Sequence, residues 1–262
     1  MNNPMKSRGR LVSISMTAIF TALFVVLQFI PYTLMIGGAG AFLSLSDFLP
    51  PLYGIVLGPY WGGLTLVLGS LIAFLTGRPL IFYGLDFLPN LAAVAAVGFL
   101  VRGKRIPATA INGVLLAIFL LNPLTLLFVA SIPFAWMHIV ALAVIISPLG
   151  RMAAEWVRTL DLRKISMGIG ILCLIGTMIL HLTGSILYEV IQGQLTMSIP
   201  AAAYPGIWTA VFFVYPIERA ILIVSGVLVG TPLIWVINNS HILQLGEAGS
   251  GTGVGPADHR NE

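Results

Sequence analysis

The chain has 262 residues, of which 58% are hydrophobic and only 8% charged, against roughly 25% charged in a soluble globular domain. That balance excludes a water-soluble domain and makes the chain an integral membrane protein. The net charge of +4 sits in loops between apolar runs, so it bears on membrane orientation and not on nucleic acid.

The apolar runs have helix-like lengths and show no ten-residue alternation, which predicts an all-α, polytopic membrane helix bundle and excludes a β-barrel. Residues 1–10 form a basic N-terminus carrying Lys6, Arg8 and Arg10. The first segment, 11–36, is well beyond the roughly 7 to 15 residues of a cleavable signal core, so it reads as a retained helix. On it Ala18 and Ala22 make a strip of small residues one turn apart, the kind against which another helix packs closely in lipid. Thr21, Gln28 and Tyr32 form a polar stripe.

Segments 43–57 and 60–76 follow, separated by a tight turn at Gly58-Pro59. Segment 85–101 opens with Asp86 and Asn90, four apart, with Asp86 suited to cap the helix. Segments 107–130 and 133–148 come next. In segment 167–188, Thr177, His181, Ser185 and Tyr188 share one face that leads to Glu189. The last segment is 207–237, and residues 238–262 are Gly-rich and polar, a flexible tail. Cys173, the one cysteine, lies inside an apolar run and reads as core packing.

Strict alternation of these eight segments sorts the basic residues. Lys6, Arg8 and Arg10, then Arg102, Lys104 and Arg105, then Arg151, Arg158, Arg163 and Lys164 fall on one side, and only Arg78 falls in a loop on the other. By the positive-inside rule both termini are cytoplasmic, in a multi-pass protein of the cell membrane.

Glu218 and Arg219 stand side by side within "FFVYPIERAILIVSG". Pro216 offers a place to divide the long last segment, which would put the pair in a first turn at the outer surface, with Glu218 against the positive end of the helix dipole. A helix continuous from 207 would hold the pair near mid-membrane, where ionisable groups are costly and usually functional. With His181, Tyr188, Asp86 and Asn90 the pair is expected to border an outward-facing pocket. Arg219 would hold an anionic or carbonyl group of a ligand, Glu218 would orient Arg219 or accept a ligand hydrogen bond, and Trp208, Tyr204, Phe82, Tyr83 and Trp61 are available as walls. Taken singly, each polar residue also fits a helix–helix hydrogen bond, and the pair fits a plain salt bridge.

Catalytic signatures fail. "GFLVRGKR" approximates a phosphate-binding loop, but Arg105 stands where a serine or threonine should bind magnesium, and a helix precedes it. His138, His181, His241 and His259 lack metal-ligand spacing, so no metal or cofactor is expected. His181 with Ser185 is the one nucleophile–base candidate, and the chain is not expected to be an enzyme.

Three stretches, "MTAIFTALFVVLQFIP", "LSLSDFLPPLYGIVLGPYWGGLTLVLGSLIAFLTG" and "YPIERAILIVSGVLVGTPL", resemble the substrate-binding S component of an energy-coupling factor (ECF) vitamin transporter over about residues 11–101 and 167–237. The resemblance implies a six-helix core within 11–237 and capture of a vitamin or related micronutrient from outside. It also implies an association, through Ala18 and Ala22, with a transmembrane T component and two ATPase subunits. Residues 107–148 exceed the six-helix pattern and read as an inserted hairpin or as a redistribution of the family's fifth helix. An autonomous transporter or channel is the alternative.

Overall fold

The computed structural model describes residues 4–38 and 41–240. The chain is an all-α helical bundle, 75% helical, with two short β-hairpins as its only sheet among the described residues. The helices are α1 (Pro4–Gln28), α2 (Leu49–Val56), α3 (Gly58–Leu75), α4 (Leu88–Val101), α5 (Arg105–Leu121), α6 (Trp136–Ile146), α7 (Pro148–Trp156), α8 (Leu162–Leu187) and α9 (Tyr204–Asn239). Strands β1 (Pro31–Leu34) and β2 (Phe42–Ser44) pair antiparallel, as do β3 (Phe128–Val129) and β4 (Ile132–Pro133). Four helical stretches among the described residues are long and apolar enough to cross a membrane, and α6 with α7, bent by 74° at their junction, would make a fifth. The protein is therefore membrane-embedded.

Local chemistry explains the breaks. Gly58 adopts φ +80°, a left-handed conformation open to glycine, and Pro59 then starts α3 where its missing N–H costs nothing. The turn is also a contact point: a Cβ on Gly98 would lie 2.5 Å from the Pro59 nitrogen, so α4 packs directly onto backbone. Asp161 caps α8 by accepting from the Arg163 and Lys164 amides, and Ser147 caps α7 through the Leu149 amide.

Helix α8 is the axis of the bundle, packed against α2, α4, α5, α6, α7 and α9. Cys173 and Gly226 meet in this core, and Gly230 lies against Leu52 and Ile169, so the Gly226 and Gly230 strip is internal packing. Basic side chains tie one end together. Arg105 donates to the Ser147 carbonyl at 2.8 Å, Arg158 to Val101 at 2.7 Å, and Asn238 Nδ2 to Thr159 at 2.8 Å. Both hairpins and the α3–α4 loop lie at the opposite end.

Expectations change along the chain: the 43–57 segment is a strand end, a 3-10 turn and a short helix, the 107–130 helix ends at Leu121, and a helix, α7, follows 133–148. The first helix stops at Gln28 rather than running to 36, because Pro31 cannot continue it and the chain turns back as the β1–β2 hairpin. It also begins at Pro4, inside the expected basic N-terminus. The last helix is unbroken at Pro216 and reaches Asn239, since a transmembrane helix can keep a proline when neighbouring groups take up the freed carbonyl. "PGIWTAVFFVY" is therefore helical, and Glu218 is far from any helix N-terminus. Beyond Ser240 the expected tail lies outside the described residues.

Candidate functional site

From the end of α9 at Asn239 to Glu218 the helix rises about 30 Å at 1.5 Å per residue, the thickness of a hydrocarbon core. Glu218 and Arg219 thus sit at the far end of that distance from the basic residues, buried on the bundle side of α9. Here a cavity of about 160 Å³ opens between α1, the β1–β2 hairpin, α3, the α3–α4 loop, α4, α8 and α9. All six expected pocket residues line it: Glu218, Arg219, His181, Tyr188, Asp86 and Asn90.

Arg219, 1% exposed, donates through Nη2 to the Tyr32 hydroxyl at 3.0 Å and to Glu218 Oε2 at 3.4 Å. The pair is a buried salt bridge that also fastens β1 to α9, so the plain structural reading and the pocket-lining one hold together. Glu218 Oε1 accepts no hydrogen bond within the described chain.

His181 likewise answers to both readings. Its Nδ1 shares a hydrogen bond with His138 Nε2 at 3.0 Å, and both rings stack with Tyr215, at centroid distances of 5.0 and 5.9 Å. His181 also lines the cavity. Thr177, on the same face of α8, bonds back to the Cys173 carbonyl and takes no part.

Asp86 does not cap α4. Its two carboxylate oxygens accept from the Ile81 and Phe82 amides at 2.8 and 3.1 Å, which folds the α3–α4 loop over the cavity. Gln192, in the π-helical segment Tyr188–Leu195 that extends α8, holds the same loop through the Ile81 carbonyl. Tyr188 closes the hairpin side by donating to the Gly37 carbonyl at 3.2 Å. Trp208 and Phe82 line the cavity as walls, whereas Tyr204, Tyr83 and Trp61 do not.

Glu189 lies just outside, fully buried, accepting from Thr125 at 2.7 Å. Residues 107–148 buttress this wall. Trp208 Nε1 donates to the Leu124 carbonyl, and its ring meets Phe119 and Phe134 edge-on.

Two charged residues were not foreseen. Arg78 donates to the Gln28 carbonyl and lies 5.2 Å above the Phe42 ring. Asp47, in the 3-10 turn Leu45–Phe48, also lines the cavity. Both had a signal. Arg78 was the one basic residue that broke the sidedness pattern, and Asp47 was a lone carboxylate in an apolar stretch.

Ala18 and Ala22 are exposed, in a second and apolar depression between α1 and α3 walled by Ile14, Val25, Trp61, Leu64 and Leu68. They are not interior packing. Among the described residues no group of three or more His, Cys, Asp or Glu side chains could share a metal ion. No family model, no curated protein and no solved structure matches the chain.

Proposed function

We propose that the protein is a membrane-embedded substrate-capture subunit of ECF type, an S component that binds a vitamin-like micronutrient from outside for ATP-driven uptake by partner subunits. The observation that carries this reading is the convergence of residues from α1, α4, α8 and α9 on one cavity, at the end of the bundle away from the basic side chains. With the basic end cytoplasmic by the positive-inside rule, the cavity faces outward and both termini face the cytoplasm, in the cell membrane.

The exposed Ala18 and Ala22 depression supports the second half of the reading. A shallow groove floored by small residues admits a helix of a T component, and the T component with two ATPases supplies the energy the captured ligand needs to move inward.

The test is co-expression of the tagged protein with a T component and two ATPases, followed by reconstitution in liposomes. Uptake of the compound that native mass spectrometry finds on the purified protein should require all four chains and ATP. Uptake by this chain alone would make it an autonomous transporter and end the proposal.

A further inference from the structure

The cavity has an excess of acceptors. Its ionisable lining sets two guanidinium groups, Arg78 and Arg219, against three carboxylates, Asp47, Asp86 and Glu218, so the formal charge is negative. The cations are partly engaged, Arg78 by the Gln28 carbonyl and the Phe42 ring, Arg219 by Tyr32 and Glu218, while Arg219 Nε is buried without an acceptor. The Asp86 oxygens are taken by backbone amides.

Three of the unpartnered groups are acceptors. Asp47 is 8% exposed and accepts no hydrogen bond among the described residues, although the charges of Arg219 and Arg78 both act on it. Glu218 Oε1 is in the same position, and Asn90, 5% exposed, has its carbonyl oxygen buried without a donor. A carboxylate favours a donor beside it, and both carboxylates line the cavity, where an entering donor can reach them.

We infer that the ligand is a small organic monocation, a flat body about the size of one ring with a protonated amine or ring nitrogen held between Asp47 and Glu218. The inference rests on the capture reading for its biological sense, but not for its chemistry. The size follows from the cavity, about 160 Å³, close to the roughly 150 Å³ of an engineered cavity that holds benzene. Trp208, Tyr188 and Phe82 supply aromatic walls to such a body, and aromatic faces attract cations. An anion would add to the existing negative charge, with Arg219 Nε as the buried donor left to meet it. On this reading a donor meets the carboxylates, which develops the expectation that Glu218 accepts a ligand hydrogen bond and departs from that of an anionic or carbonyl group on Arg219.

Three probes of nearly one shape decide the charge: benzylamine, benzyl alcohol and benzoate, each titrated at pH 7 against the purified wild-type protein in detergent by thermal shift. Benzylamine should bind at least about tenfold more tightly than benzoate, with benzyl alcohol between them, since a tenfold ratio is the span of one modest charged contact. Asp47→Asn should remove most of the benzylamine advantage and leave benzyl alcohol unchanged. Because the wild-type ranking decides without any variant, an unstable mutant does not blunt the test. A preference for benzoate, equal responses, or no response to any of the three overturns the inference. An anionic compound recovered on the purified protein would also overturn it while leaving the capture reading intact. A protein that ranks the probes as stated but never associates with a T component would lose the capture reading and keep the cation site.

Discussion

The cavity at the α8–α9 end is walled by charged and aromatic side chains, whereas the α1–α3 depression is walled by alanines, threonines, aliphatics and Trp61. Lipid treats the two differently. Polar atoms lining the cavity can partner a ligand as well as one another, so they specify chemistry. An apolar depression loses nothing against lipid tails, which are as apolar as leucine, so its shape alone carries information. The cavity says what must bind, and the depression says what can fit.

The sharpest way to break the comparison is to remove a charge from the cavity. Glu218→Leu leaves the Arg219 guanidinium, 1% exposed, with Tyr32 as its remaining hydrogen-bond partner. Stability should fall by about 3 to 5 kcal/mol, the usual cost of stranding one member of a buried pair. Thermal unfolding in detergent measures it. A loss under about 1 kcal/mol would mean that the pair behaves as if solvated and that the cavity is wet at this level.

A second substitution perturbs the support of the depression instead. A Cβ on Gly69 would come within 2.6 Å of Phe24 Cδ1, where α3 meets α1. Gly69→Ala should therefore cost about 1 to 3 kcal/mol by overpacking, with cavity binding unchanged because neither Gly69 nor Phe24 lines the cavity. If probe affinity fell in step with stability, the two regions would be mechanically coupled.

A smaller effect is expected from Tyr188→Phe. It removes the single bond from the α8 end to Gly37 at the hairpin tip, worth about 0.5 to 1.5 kcal/mol. Since that bond holds the mouth, the change should appear in the ligand off-rate rather than in the on-rate, measurable by competition kinetics.

How much of this was legible beforehand differs between the regions for a physical reason. Six cavity residues were readable because polar groups in apolar helices are rare and their helical spacing aligns them, as for His181, Ser185 and Tyr188. Asp47 was hidden by its segment, which read as one helix from 43 to 57 but is a strand end, a 3-10 turn and an eight-residue helix. Apolar content cannot tell those apart. The hairpin at 31–44 was missed for the same reason, although Pro31 carried the stop signal. Continuity of α9 through Pro216 depends on packing around the freed carbonyl, which no local pattern encodes. The role of Asp86 was misjudged because a carboxylate at a helix start can cap or can gather the preceding loop, and only the folded loop decides.

The smallest expected change in the isolated protein is the one with the largest consequence in assembly. Ala22 is exposed in the depression, so Ala22→Trp should leave stability within about 0.5 kcal/mol of wild type and probe binding unaltered. The indole would, however, stand in the groove and hold a partner helix several ångströms off, beyond the close approach on which packing in lipid depends. Co-purification with a T component should then be lost while the thermal shift with benzylamine persists. Ala18→Trp, one turn away on the same strip, should repeat the result. Were ligand binding lost and the complex retained, the depression would belong to the ligand path and the division between the two regions would fail.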